Sequence, residues 1–280
     1  MMQSVKSSDG LFKRIQESAR IIRQEIKIVP EVAIILGTGL GKLTKQIKQQ
    51  TGIDYEKIPN FAVSTVESHT GRMIAGNLSG KKVVAMEGRF HCYEGYSAEE
   101  VTFPVRVLKE LGAKTLVVSN VAGGLNLDYQ KGEIVLIDDH INMTGVNPLM
   151  GLNDNRLGPR FPDMSAPYSP RLMKLTEEAA KEQKISVKRG VYLGIAGPNL
   201  ETRAEYRMMR TMGADLVGMS TIPEVLVGVH MGMKILGISI VTDICDPDHL
   251  EAIDIKEIIR IANEAGPKLG RLVEAAVKKF

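Results

Sequence analysis

Cysteine is scarce in this 280-residue chain, which contains only Cys92 and Cys245. The pair forms no C-x-x-C motif, and the sequence has neither an H-E-x-x-H motif nor a Cys/His cluster. The acidic segment 246–249 lacks the glycine and the later glutamate of a calcium-binding loop. We therefore predict a protein without a bound metal. Two isolated cysteines also favour a reduced, cytoplasmic location.

Long apolar runs and a strong charge bias are also missing. No run approaches the roughly 18 apolar residues of a membrane span, and the N-terminal MMQSVKSSDG lacks the apolar core of a signal peptide. The net charge is only +3, with Lys and Arg interleaved among acids. This balance argues against nucleic acid or membrane as a partner, while it permits a small anionic substrate.

Apolar periodicity predicts alternating helices and strands. No linker divides the chain, so we predict a single α/β domain over residues 1–280. Helices are predicted at 9–28, 42–50, 98–111, 170–184, 202–213, 222–232 and 255–279. Strands are predicted at 32–36, 73–78, 82–87, 115–120, 133–138, 189–195, 214–218 and 234–242. This alternation favours a mostly parallel or mixed sheet covered by helices on both faces.

The segment from Gly88 to Tyr96 carries three polar residues at alternate positions. If it is extended, Arg89, His91 and Tyr93 point to the same side, while Cys92 points away. Arginine offers a planar fork of donors to an anion, and histidine and tyrosine can hydrogen-bond to a hydroxylated ligand. The alternative is an edge strand with a solvated polar face.

A glycine-rich loop follows the first strand. The segment Gly37–Gly41 lacks the later glycine of a dinucleotide fingerprint, because position 42 is Lys. It also fails as a P-loop, because positions 36 and 43 are both Leu. We therefore interpret this segment as a small phosphate-binding loop with Thr38 as a hydroxyl donor. The alternative is a tight turn without a ligand.

Later strands also end in polar loops, where ligands gather in open α/β sheets. Small residues in 119–126 leave room for a flat ligand. Glu201 can accept hydrogen bonds from a heterocycle, or it can simply cap the following helix. Met219 and Ser220 offer a ligand an apolar surface beside a hydroxyl. The more usual alternative is that Met219 packs in the core and Ser220 is the N-cap of the following helix.

Two further segments stand out. Asp243 places a carboxylate immediately beyond the last predicted strand. Residues 142–169 are polar and rich in Pro and Gly, and they are too long for a simple connection. We interpret this stretch as a functional or interface loop.

Six motifs together carry a family resemblance. They are GTGLG, GRFHCYEGY, SNVAGGLN, RFPDMS, AGPNLETRAEYR and VGMST, in this order from about residue 30 onward. The chain thereby resembles the trimeric class of purine nucleoside phosphorylases. The resemblance implies that inorganic phosphate and a purine nucleoside give free purine and ribose 1-phosphate. It also implies a single-domain α/β fold with a mixed, partly barrel-like sheet flanked by helices, and a homotrimer.

The resemblance further implies three connected sites. The implied phosphate-binding residues are Thr38, His69, Arg89, His91, the backbone N–H of Val121, and Ser220. The implied ribose-binding residues are Tyr93, Met219 and, from a neighbouring subunit, Phe161. The implied purine-binding residues are Val121, Ala122, Gly123, Leu200, Glu201, Val217 and Asp243. Catalytic roles fall on His91, Glu201 and Asp243, with no cofactor and with phosphate as co-substrate.

Two positions depart from the family pattern. Asp243 stands where members specific for 6-oxopurines carry Asn, and Ile255 stands where many carry a His that meets the ribose 5′-hydroxyl. Both features resemble methylthioadenosine phosphorylases, which are the alternative, whereas Glu201 and Leu200 do not. We predict inosine and guanosine as main substrates with measurable adenosine activity. A non-catalytic nucleoside or sugar-phosphate binding protein is the rival from a different class.

Overall fold

Helices and strands alternate along residues 8–37, 41–63 and 71–280, which the computed structural model describes. The helices are α1 (Ser8–Glu25), α2 (Ala98–Glu110), α3 (Pro170–Glu182), α4 (Arg203–Thr211), α5 (Ile222–His230) and α6 (Ile255–Val277). The strands are β1 (Val32–Leu36), β2 (Lys48–Asp54), β3 (Arg72–Leu78), β4 (Lys81–Glu87), β5 (Thr115–Gly124), β6 (Ile134–Met143), β7 (Val187–Ile195), β8 (Leu216–Gly218) and β9 (Lys234–Ile244).

One mixed sheet contains all of these strands, in the order β2-β3-β4-β1-β5-β8-β7-β6-β9. Strand β9 also pairs with β5, so β5, β8, β7, β6 and β9 close into a barrel. Strand β1 runs parallel to β4 and β5, whereas β8 runs antiparallel to β5. The predicted mixed, partly barrel-like sheet flanked by helices is therefore confirmed.

Alternation along β1 explains how helices cover both faces of the sheet. Every residue of β1 is buried, as expected for a strand between two helical layers. Ala33 and Ile35 pack in a core with residues of α1, α2 and α5. Val32, Ile34 and Leu36 pack in a second core with residues of α3 and α6. None of the helices in the described ranges has the length and apolar content needed to cross a membrane.

The predicted helix at 42–50 is wrong. Only a short 3-10 helix forms at Gly41–Gln46, and the chain then continues as β2. Strand β2 pairs antiparallel with β3, for example Thr51 with Ala75 and Ile53 with Met73. The Lys-rich composition favours a helix locally, but pairing with a distant strand overrides that preference.

The predicted extended conformation of 88–96 is also wrong after His91. Strand β4 ends at Glu87, and a 3-10 helix spans Cys92–Glu94, so Cys92 does not lie in a strand. His91 and Tyr93 still face each other, because their rings stack with centroids 4.6 Å apart. A tight turn therefore brings these two rings together, whereas the prediction relied on strand alternation.

Candidate active site

A cavity of about 480 Å³ opens among the loops that follow the strands. Its lining includes residues that follow β1, β4, β7, β8 and β9, together with the end of β5 and the start of α6. Gly37 allows the β1 loop to approach β5, because a Cβ there would lie 2.8 Å from the Ser119 carbonyl oxygen. A cavity at this place agrees with the tendency of α/β proteins to bind ligands where strands end.

Arg89 lines the cavity and is held by a buried ion pair. Its Nη2 and Nε donate to Oε1 of Glu224 over 2.7 and 3.0 Å, and each side chain is only 3% exposed. Its Nη1 donates to the Ser119 carbonyl oxygen and to Ser220 Oγ. Glu224 lies in the first turn of α5, where the helix dipole favours a carboxylate. These contacts fix the orientation of the guanidinium.

The turn between β8 and α5 places Ser220 against Arg89. Thr221 is fully buried and has φ 73° and ψ −54°, a positive φ that is unusual for a β-branched residue. Its hydroxyl accepts a hydrogen bond of 2.8 Å from Nδ2 of Asn120. Thr221, and not Ser220, occupies the N-cap position of α5. The alternative reading of Ser220 as an N-cap is therefore wrong.

Glu94 orients His91 within the same cavity. One oxygen, Oε1 of Glu94, lies 2.9 Å from both the backbone nitrogen and Nδ1 of His91. The ring of Tyr93 stacks on the imidazole. Burial, and next the nearby Glu94 carboxylate, raise the pKa of the Tyr93 hydroxyl, which therefore stays protonated as a donor.

Glu201 contributes a carboxylate whose protonation is shifted by its surroundings. Burial is the main cause that raises its pKa, and the negative charges of Asp243 and Glu205 raise it further, while a hydrogen bond from Tyr206 opposes them. Glu201 does not cap α4. Thr202 is the N-cap, accepts from the Glu205 backbone N–H, and donates to the Glu205 carboxylate.

Asp243 accepts hydrogen bonds at both carboxylate oxygens. The Thr242 hydroxyl donates to Oδ1 over 2.9 Å, and the Cys245 thiol donates to Oδ2 over 3.3 Å. Gly123 provides space for this pair, because a Cβ there would lie 2.6 Å from Cys245 Sγ. The space next to Gly123 is therefore partly filled by the side chains of Asp243 and Cys245, and the rest belongs to the cavity.

The other predicted site residues divide into three groups. Those that also line the cavity are Val121, Ala122, Leu200, Val217 and Met219. Phe161 instead lies on the surface of its own chain, 87% exposed, in the irregular connection between β6 and α3. Thr38 and His69 lie outside the described residues. Within the described ranges, no three His, Cys, Asp or Glu side chains form a metal-binding group.

The first turns of α6 form an apolar wall of the cavity. Ile255, Ile258 and Ile259 all line it, and their spacing of three and four residues places them on one helix face. Ile255 is 59% exposed. These side chains offer no hydrogen-bonding group, so an apolar part of a ligand would gain contact area here.

Comparison with known proteins gives the family. The model of the phosphorylase superfamily matches residues 31–278. Purine nucleoside phosphorylase 1 of Bacillus subtilis is 45% identical over 267 residues, which cover 95% of this chain and 98% of that protein.

The chain belongs to the phosphorylase superfamily.

Solved structures agree with this family. A Schistosoma mansoni purine nucleoside phosphorylase isoform in complex with cytosine and ribose-1-phosphate has a TM-score of 0.92 and 36% identity, over 96% of this chain and 97% of that one. A Schistosoma purine nucleoside phosphorylase in complex with hypoxanthine has a TM-score of 0.91 and 41% identity, with the same coverage.

Several residues of this phosphorylase cavity carried no sequence prediction. Tyr206, Cys245, Ile258 and Ile259 line it, and Glu224 lies behind it as the partner of Arg89. The isoleucine spacing after Ile255 is a signal that reveals the apolar wall. Glu224 belongs to the predicted helix at 222–232, but its role depends on Arg89, which is 135 residues away.

Proposed function

We propose that this chain catalyses the phosphorolysis of purine nucleosides to free purine and ribose 1-phosphate. The observation that carries this proposal is that one cavity joins three kinds of surface. Arg89 supplies a cation beside the Ser220 hydroxyl. Tyr93 and Met219 supply an aromatic ring and a thioether, and Glu201 and Asp243 supply carboxylates. A phosphate, a sugar and a base each find suitable chemistry there.

The reaction breaks the C1′–N9 bond of the nucleoside and forms a bond between C1′ and a phosphate oxygen. The sugar passes through an oxocarbenium-like state, which a phosphate dianion beside C1′ stabilises and then captures. In our proposal Arg89, His91 and Ser220 hold that phosphate, together with Thr38, His69 and the Val121 N–H. Phosphate is the co-substrate, and the proposal involves no cofactor.

The leaving purine accepts the electron pair of the broken bond. A group that donates a proton or hydrogen bond near N7 lowers the barrier to its departure. Asp243 and Glu201 are our candidates for this end of the cavity, with Leu200, Val217 and residues 121–123 against the ring. In our proposal Glu201 accepts from N1–H of hypoxanthine or guanine.

Phosphate dependence tests the proposed function. We expect inosine to release hypoxanthine only when inorganic phosphate is present, and ribose 1-phosphate to appear in equal amount, because phosphate is the attacking group. The measurement follows both products by chromatography with and without phosphate. Binding of inosine without turnover under both conditions would instead identify a nucleoside-binding protein.

We also propose a homotrimer in which Phe161 completes the ribose site of a neighbouring subunit. Phe161, Met150 and Leu152 are exposed apolar residues of the connection between β6 and α3, and Arg160 beside Phe161 donates to the Gly151 carbonyl oxygen over 2.7 Å. A contiguous exposed apolar surface typically marks an interface. The Arg160 guanidinium lies over the Phe161 ring at 5.8 Å and supports its position.

Phe161→Ala is expected to raise KM for inosine about tenfold, because one buried aromatic contact contributes roughly 1.5 kcal/mol or more. KM for phosphate and the melting temperature should change little. Val29→Ala is the matched control. It shortens another exposed apolar side chain, which lies just before β1, at the end of that strand away from the cavity. A fully active monomer by light scattering would refute the shared site.

Two further properties accompany this proposal. The isoleucine wall favours tolerance of 5′-deoxy and 5′-methylthio sugars, which keeps methylthioadenosine as a second candidate substrate. We also infer a cytoplasmic location, which is supported by the free thiols of Cys92 and Cys245.

A further inference from the structure

Three polar side chains form a series of hydrogen bonds that ends at the cavity. Nδ2 of Asn120 donates to Oγ1 of Thr221 over 2.8 Å, and that oxygen lies 3.2 Å from Oγ of Ser220. Nη1 of Arg89 donates to the same Ser220 oxygen over 3.2 Å. Asn120 and Thr221 are buried, whereas Ser220 is half-buried and lines the cavity. The series therefore links two buried side chains to a hydroxyl at the phosphate end of our proposed site.

The burial of Thr221 determines the direction of these hydrogen bonds. Thr221 is 0% exposed, so its hydroxyl proton needs an acceptor within the protein. Nδ2 of Asn120 is a donor and cannot accept this proton. Within residues 8–37, 41–63 and 71–280, Ser220 Oγ is the one other hydrogen-bonding partner of Thr221 Oγ1. The Thr221 hydroxyl therefore donates to Ser220.

Ser220 consequently directs its own proton into the cavity. Its oxygen has two lone pairs, which accept from the Thr221 hydroxyl and from the Arg89 guanidinium. Neither neighbour can accept the Ser220 proton in return, because a guanidinium is only a donor and the Thr221 proton already lies between the two hydroxyl oxygens. A hydroxyl that accepts two hydrogen bonds is also polarised and becomes a stronger donor. An anion beside Ser220 would accept a hydrogen bond from it.

We propose that Asn120 and Thr221 are positioning residues that fix Ser220 as a hydrogen-bond donor to the anion in the cavity. The inference rests on the proposed function in one respect, since it takes this anion to be the phosphate co-substrate. Asn120 occupies the Thr221 oxygen, and Thr221 in turn occupies the Ser220 oxygen, so both act through the Ser220 hydroxyl. Because that hydroxyl is oriented before the anion arrives, binding does not have to reorient it.

The opposite direction of the series is the alternative. Oδ1 of Asn120 makes no hydrogen bond within the described residues, and an amide that presented this atom to Thr221 would accept the Thr221 proton. Thr221 would then accept from Ser220, and the Ser220 proton would point away from the anion. Removing the Thr221 hydroxyl would release that proton and strengthen anion binding. The two directions therefore predict effects of opposite sign for one substitution.

Thr221→Val keeps the branched shape of the side chain and removes its hydroxyl. We expect the Kd for inorganic phosphate, measured by isothermal titration calorimetry, to rise about three- to tenfold, which is the size of one neutral hydrogen bond. Thr221→Ser keeps the hydroxyl and should return the Kd toward the parent value. A folded Thr221→Val protein that binds phosphate as tightly as the parent, or more tightly, would overturn the proposal.

A double-mutant cycle tests whether Thr221 acts through Ser220. Ser220→Ala should raise the Kd for phosphate by itself, and adding Thr221→Val should cause no further loss, because the donor that Thr221 positions is already gone. Additive losses would contradict the proposal, since they would show that Thr221 acts independently of Ser220. Asn120→Ala provides a second variant, because it frees a lone pair of Thr221 to accept the Ser220 proton. It should raise the Kd in the parent protein and leave it unchanged in Ser220→Ala.

Sulfate and a buried threonine elsewhere in the fold complete the test. Sulfate is fully ionised at neutral pH and only accepts hydrogen bonds, so Thr221→Val should weaken sulfate and phosphate binding by the same factor. Unchanged sulfate binding would rule out Ser220 as the positioned donor. Thr176→Val removes a hydroxyl that donates to the Leu172 carbonyl oxygen within α3, away from the cavity, and should leave both Kd values unchanged. Sulfate binding involves no turnover, whereas phosphate-dependent release of hypoxanthine from inosine tests the proposed function, so the two can fail independently.

Discussion

Arg89→Ala is expected to lower stability and phosphate binding together. Glu224 would be left as a buried carboxylate without its cationic partner, which costs about 3–5 kcal/mol in free energy of unfolding. Loss of a charge-assisted contact to phosphate costs about 1.5–3 kcal/mol, or roughly ten- to a hundredfold in kcat/KM for phosphate. Thermal unfolding at fixed protein concentration and phosphate titration at saturating inosine measure the two effects.

A double variant separates these effects. Arg89→Ala with Glu224→Gln removes the unpaired charge, so part of the lost stability should return, while the high phosphate requirement should persist. A folded Arg89→Ala protein with unchanged phosphate kinetics would remove Arg89 from the phosphate site. Restored phosphate kinetics in the double variant would show that Arg89 acts only through the fold.

Asp243→Asn is expected to shift selectivity from adenosine toward inosine. Asparagine can donate to O6 or N7 of a 6-oxopurine, whereas it loses the charge that accepts from a 6-amino group. Loss of a charged hydrogen bond predicts a decrease of roughly ten- to a hundredfold in the adenosine to inosine ratio of kcat/KM. The measurement uses inosine, guanosine, adenosine and methylthioadenosine with the parent and the variant.

Asp246→Asn is the matched control for this experiment. Asp246 is hydrogen-bonded with His249 and does not line the cavity. Its substitution should therefore leave the adenosine to inosine ratio of kcat/KM unchanged. If the ratio also stays unchanged in Asp243→Asn, Asp243 does not recognise the 6-position. If methylthioadenosine is the best substrate of the parent, the alternative of a methylthioadenosine phosphorylase is correct.

The local sequence pattern was sufficient to predict a strand that is buried along its whole length. Val32–Leu36 is an uninterrupted apolar run, and it is β1 with the predicted bounds. The segment 42–50 was misassigned because its exposed Lys and Gln residues carry little burial signal. Residues 48–51 of β2 are all exposed, so pairing with β3 and not apolar alternation determines this strand.

The candidate site was also predictable from the sequence only in part. Several of its loops were predictable, because glycines, hydroxyls and carboxylates follow apolar runs at the ends of strands. The predicted loop positions 119–124 and Asp243 were wrong, because the pairing of β5 with β9 extends both strands through them. Arg89, His91, Glu201, Ser220 and Asp243 all line one cavity. The route to that arrangement was not predictable for His91 and Tyr93, since a 3-10 turn and not a strand brings their rings together.

The sequence by itself determined the family, the alternation of elements and the residue types at the strand ends, because these depend on local patterns and ordered motifs. Tertiary structure alone decided the partners of those residues. Barrel closure between β5 and β9 brings Gly123 against Asp243 and Cys245, and the turn at Thr221 leads into α5, where Glu224 meets Arg89. Such contacts join positions far apart in the chain, and burial makes them strong only after the chain has folded.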